Sequence, residues 1–144
     1  VIAVDTNVLV QSHRKDTPFH DVAHAAVSDL AGSASPWAIP WPCIHEFLAI
    51  VTHPRVFRTP TPLAAACAQV DAWLEAPTLR LLSEDREAHW RALLPLLTQA
   101  KISGPRVHDA RIAALCVAHG VSVLLSADRD FSRFPSLQVR NPLV

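Results

Sequence analysis

Short, wholly apolar runs alternate along the chain with longer stretches in which apolar positions recur every three or four residues. Val1–Val4 is apolar and mostly β-branched, as expected of a strand buried on both faces, and it ends abruptly in Asp5. A short helix is predicted from Thr6 to about Gln11, with Thr6 and Asn7 as caps, followed by a polar loop over Ser12–Asp16. Phe19, Val22, Ala23, Ala26, Val27 and Leu30 follow the period of an amphipathic helix that Gly32 stops. Trp37–Pro40 reads as a second strand. Pro42 then opens a helix to about Thr52, ended by His53-Pro54.

The second half repeats this alternation. Arg55–Thr61 is a loop, Pro62 starts a helix to about Ala76, and Leu79–Leu82 reads as a third, edge strand. A long helix is predicted over Glu84–Ala100, with Ser83 as its cap and Glu84, Asp85 and Glu87 in its first turn. Pro95 within it predicts a kink or a break. Gly104-Pro105 precedes a helix to His119, stopped by Gly120, and Val121–Leu125, apolar but for Ser122, is a second strand. Ser126–Phe131 is a loop or one helical turn, and Leu137–Val139 a last short strand. Strands alternating with helices indicate βαβ units, hence a mostly parallel sheet with helices on both faces.

That pattern places four acids on one edge. Asp5 and Asp128 each follow one of the two most apolar strands. Helices beside a parallel sheet begin at the carboxyl edge of its strands, so Glu46 and Asp109, early in their helices, lie there too. Glu46 shares a stripe with Cys43 and Ile50, and Asp109 shares one with Ile112, Ala113 and Cys116. Carboxylates on apolar stripes are costly to bury and repel one another, and no Lys or Arg shares those stripes. A divalent cation resolves both difficulties, and hard oxygen ligands suit Mg²⁺ or Mn²⁺. The plainer alternative is a set of caps and internal salt bridges, for which Arg111 and Arg129 are the nearest cations.

Composition narrows the picture only slightly. Half of the 144 residues are hydrophobic and 18% are charged, which argues against disorder. Thirteen basic residues balance thirteen acidic ones, so net charge neither demands nor excludes a nucleic-acid partner. Cys43, Cys67 and Cys116 are scattered, lack a C-x-x-C pattern, and read as small core residues in a reducing compartment. No apolar run approaches the roughly 20 residues that span a bilayer, and the apolar start lacks the basic region of a secretory signal.

Four segments together resemble PIN-domain ribonucleases, and most of all the VapC-type toxins of bacterial toxin–antitoxin pairs. They are Asp5-Thr6-Asn7-Val8-Leu9, a lone Glu46, His108-Asp109-Ala110-Arg111-Ile112-Ala113-Ala114, and Ser126-Ala127-Asp128-Arg129-Asp130-Phe131. The resemblance covers essentially the whole chain, in order. It implies one domain over residues 1–144, a three-layer α/β/α fold with a central, mostly parallel sheet of about 4–5 strands. It implies Mg²⁺- or Mn²⁺-dependent cleavage of RNA by a cytoplasmic homodimer, inhibited by a small antitoxin protein. The family's acidic quartet carries over to Asp5, Glu46, Asp109 and Asp128 as metal ligands, with Asp130 as an assisting acid. Asn7 matches a residue that orients the first aspartate or its metal water, and Ser126 stands where the family often has Thr. Arg14, Lys15, Arg111 and Arg129 are expected to bind the RNA backbone.

Two rival readings use the same residues. Asp128-Arg129-Asp130 approaches an aspartate-dependent phosphatase motif, but it follows a late strand rather than the first. A non-catalytic scaffold that binds RNA or protein would tolerate an incomplete quartet, whereas here all four positions are filled. His45-Glu46-Phe47-Leu48-Ala49 lacks the second His of a zinc protease motif.

Overall fold

Strands three or four residues long, most of them apolar, cannot bury themselves alone; they pair. In the computed structural model, which describes residues 1–144, they form β1 (Ile2–Val4), β2 (Trp37–Pro40), β3 (Leu79–Leu82), β4 (Val123–Leu125) and β5 (Gln138–Arg140). All four pairings are parallel, in the order β3-β2-β1-β4-β5. The helices are α1 (Thr6–His13), α2 (His20–Gly32), α3 (Trp41–Val51), α4 (Leu63–Leu74), α5 (Arg86–Gln99) and α6 (Val107–Ala118). One 3₁₀ turn (Gly104–Arg106) leads into α6 and another (Arg129–Arg133) follows β4. The expected α/β class, the parallel sheet and β3 as an edge strand are all present.

The strand order explains the layers. From β1 the chain steps outward to β2 and then β3, and afterwards returns across the sheet to β4 on the other side of β1. Parallel crossovers are right-handed, so reversing direction moves the connecting helices to the opposite face. Accordingly α1 packs on α2 and α3, and α3 on α4, while α5 packs on α6. The core between them includes Trp37, Phe47, Ile39, Leu9, Leu115 and Leu124. The reversal point lies between β1 and β4, the place in such sheets where a crevice opens at the carboxyl ends of the strands.

Several local expectations need correcting. α1 runs on to His13, and Ser12 is buried rather than in a polar loop, because His13 bonds Gln69 and Thr61 and draws the helix end inward. Thr6 and Asn7 do not cap α1; Asp5 does, its Oδ1 accepting from the Thr6 N–H. Ser83 caps nothing, α5 starts only at Arg86, and Glu84 instead pairs with Arg111. Pro95 does not break α5. It lies on an exposed face, where water can satisfy the carbonyl one turn earlier that its ring leaves without a donor. Cys67 is exposed, unlike the buried Cys43 and Cys116. Trp37 and Trp73 are core residues, whereas Trp41 and Trp90 reach the surface. No helix is long and apolar enough to cross a membrane.

Candidate active site at the carboxyl edge of the sheet

Parallel register brings Val4 opposite Leu125. The next residues, Asp5 and Ser126, therefore leave the sheet side by side. Asp5 is 4% exposed, and both oxygens of its carboxylate are engaged. Oδ1 accepts from the Thr6 N–H at 2.8 Å and from the Cys43 thiol at 3.5 Å. Oδ2 accepts from Ser126 Oγ at 2.7 Å and from Asn7 Nδ2 at 3.1 Å.

Ser126 and Asn7 form the hub around that carboxylate. While donating to Asp5, Ser126 Oγ accepts from the Asp128 N–H at 3.0 Å and from Asn7 Nδ2 at 3.2 Å. Asn7 Oδ1 accepts from the Ala127 N–H at 3.0 Å. Asp128 Oδ1 accepts from the Asp130 N–H at 2.9 Å, capping the 3₁₀ turn. The two strand ends are thus cross-bonded, and the β4 acids have a defined direction. On the other side, Thr6 Oγ1 donates to Glu46 Oε2 at 2.8 Å and ties the α3 acid to the first strand.

The α6 acid closes the group. Ligand oxygens of Asp109, Asp128 and Asp130 lie within 4.8 Å of one another. Asp5 and Glu46 stand outside that tightest trio but close enough to act on it. The Asp109 carboxyl is pushed up to about 6, first by burial and then by the charges of Asp128, Asp5, Asp130 and Glu46. Burial also raises Asp5, opposed by its bonds from Ser126, Thr6 and Cys43. The thiol of Cys43, held up mainly by burial, stays protonated and serves as a donor.

No cation of the chain compensates these acids. The ion pairs are Arg14–Asp16, Arg91–Glu87 and Arg111–Glu84, and none includes a site acid. Five carboxylates with no basic partner and no sulfur or imidazole ligand among them make a donor set of hard oxygens, the kind that holds a hard divalent cation.

The expected phosphate-binding residues divide. Arg129 lies beside Asp128 on a cavity of about 590 Å³ that Ser126, Ser132 and Asn141 also line. Arg111 is two residues from Asp109, paired with Glu84. Arg14 and Lys15 lie apart from the acids, following the far end of α1, roughly 12 Å along its axis from Thr6. Arg14 is a structural residue there: it pairs with Asp16, donates to the Thr59 carbonyl and lies over the Phe57 ring. Sequence reasoning misses the bond from Thr6 to Glu46 and the Cys43 donor. Neither leaves a local signal, because each depends on which strand lies beside which.

A profile of the PIN domain family matches residues 2–137. Over 143 residues the chain is 36% identical to ribonuclease VapC43 of Mycobacterium tuberculosis, covering 99% of this chain and 96% of that one. Among solved structures, VapBC2 from Rickettsia felis, bound to a DNA fragment from its promoter, superposes with a TM-score of 0.69 at 19% identity over 97% of each chain. VapC20 of M. tuberculosis, a toxin that cleaves the sarcin–ricin loop, superposes with a TM-score of 0.67 at 18% identity, over 92% of this chain and 93% of that one. At such identities the superpositions speak for the fold, which they share from end to end. With the profile spanning nearly the whole sequence and VapC43 alike along its full length, this chain belongs to the PIN-domain family, among its VapC ribonucleases.

Proposed function

We propose that the chain is a Mg²⁺- or Mn²⁺-dependent endoribonuclease toxin, one PIN domain over residues 1–144, acting in the cytoplasm as a homodimer and held inactive by a small antitoxin. The observation that carries this reading is the gathering of five acids without a compensating cation. VapC43 is named a ribonuclease and VapC20 a sarcin–ricin loop cleaving toxin, which supports RNA as substrate.

Asp5, Glu46, Asp109 and Asp128 would hold the cation. When bound, such an ion acidifies a water molecule near neutral pH and offsets charge developing on the phosphate. Asn7 and Ser126 keep the Asp5 carboxylate fixed by donating to Oδ2, so its geometry does not depend on a flexible rotamer. Thr6 does the same for Glu46. Partners of this kind typically change metal affinity or activity by about 10–100-fold when lost. Asp130, within reach of Asp109 and Asp128, takes the proton of the attacking water. Arg129 binds the backbone phosphate, which positions the strand without reading its sequence.

Asp5→Asn tests the reading. Cleavage of single-stranded RNA in Mg²⁺ should fall to background while circular dichroism and thermal unfolding show an intact fold. Undiminished cleavage by Asp5→Asn, or by the wild type in EDTA, overturns it.

A further inference from the structure

Beside the acids lies a second feature that the hydrolytic chemistry does not use. β2 ends at Pro40, next to Asp5 in the parallel register, and Trp41 follows at the start of α3. Trp41 and His45 are one helical turn apart and share a face. Their rings stack, with centroids 6.1 Å apart and planes at 27°. The indole is 37% exposed although the neighbouring Trp37 is fully buried. Together with Pro42, Ser83, Glu84 and Arg111 the pair lines an open groove of about 480 Å³. The groove shares the carboxyl edge of the sheet with the acids, because Trp41 opens α3 directly after β2, and Ser83 and Glu84 follow β3. Trp41 and Arg111 leave α3 and α6 about 140° and about 160° around the helix from Glu46 and Asp109, so the groove flanks the acid cluster on its β2–β3 side.

We propose that Trp41, backed by His45, is a stacking platform for one nucleobase of a single-stranded RNA next to the scissile phosphate, with Arg111 and Glu84 at its rim. The proposal rests on the ribonuclease reading above and adds to it a residue that holds substrate. An indole already stacked on one face is pre-oriented, and its other face accepts any base because every base has a π surface. The rim suits a nucleotide better than an apolar ligand. Arg111 uses its Nε–H on Glu84, leaving its terminal N–H donors for a phosphate or a base edge. Trp41 is the only large apolar side chain lining the groove, so a protein helix would find little apolar area to bury there.

The test is a cycle between residue and base. In an Asp128→Asn background, which suppresses cleavage, binding of a short oligoadenylate and of an abasic RNA backbone of equal length is measured with Trp41 intact, with Trp41→Phe and with Trp41→Ala. Trp41→Ala should weaken the oligoadenylate on the order of tenfold and leave the abasic strand unchanged, while Trp41→Phe retains most of the affinity. Equal loss on both strands, or loss on neither, overturns the platform. If circular dichroism shows that Trp41→Ala does not fold, His45→Ala serves: a base-dependent loss supports the platform, and a base-independent result overturns it. Sedimentation that shows Trp41→Ala dissociating an oligomer with RNA binding intact assigns the face to protein contact and also overturns it. Wild-type protein that neither binds nor cuts RNA sinks the ribonuclease reading, whereas wild-type cleavage with Trp41→Ala unaffected sinks the platform alone.

Discussion

Asp109 shows how a single residue registers its surroundings. Its carboxyl is pushed up to about 6, so the folded, metal-free protein holds a proton there that the unfolded chain releases near 4. A raised folded value means stability is greatest below the unfolded value and is lost as pH rises through about 6. Asp109→Asn removes that dependence. In EDTA the variant should be more stable than wild type above pH 6, by roughly 1–2 kcal/mol once solvent screening is allowed for, and equal to it below about pH 4. Urea unfolding across that range checks this; a variant less stable at pH 7 contradicts the crowding of charge. Asp5 differs in kind. Burial raises it too, but hydrogen bonds from Ser126, Thr6 and Cys43 oppose that and repulsion by Glu46 comes last among the causes, so it is held in position more than it is repelled.

Among the elements, α5 conflicts most with local propensity. Its interior holds Pro95, and its N-terminus has no side-chain cap. It persists because its apolar side packs on α6, with Leu96 buried between them. Pro95→Ala restores a donor to the helix and should raise stability by about 1–3 kcal/mol, read as a higher urea midpoint with unchanged slope. RNA cleavage should not change, since α5 supplies no site acid. The strands show the opposite case. β1 and β4 are three residues each, too short to persist alone, yet their ends carry the acids because both sit at the centre of the sheet.

For the molecule as a whole, the site opposes the fold until charge is compensated. Anything that binds the folded state alone stabilises it by mass action, about 2.7 kcal/mol at 100 times the dissociation constant. Mg²⁺ at that excess should therefore raise the thermal midpoint at pH 7.5 by roughly 5–10 °C, and EDTA should reverse it. In Asp109→Asn/Asp128→Asn the shift should vanish. A wild-type midpoint indifferent to Mg²⁺ and Mn²⁺ would show that the acids do not form a cation site.

The elements were legible because their signals are local. Apolar runs, helical periods, and the Gly and Pro stops placed five strands and six helices to within a few residues, and the helix starts put Glu46 and Asp109 on the edge with Asp5 and Asp128. Local signals failed at Ser83, Ser12 and Pro95, where tertiary contacts or solvent decided the outcome. What the sequence could not express is strand order. Only with β4 beside β1 does Ser126 meet Asp5 across 121 residues, and only with β2 on the other side does Thr6 reach Glu46. A carboxylate's identity is written in one position, but its charge, direction and neighbours come from residues far along the chain that packing alone brings together.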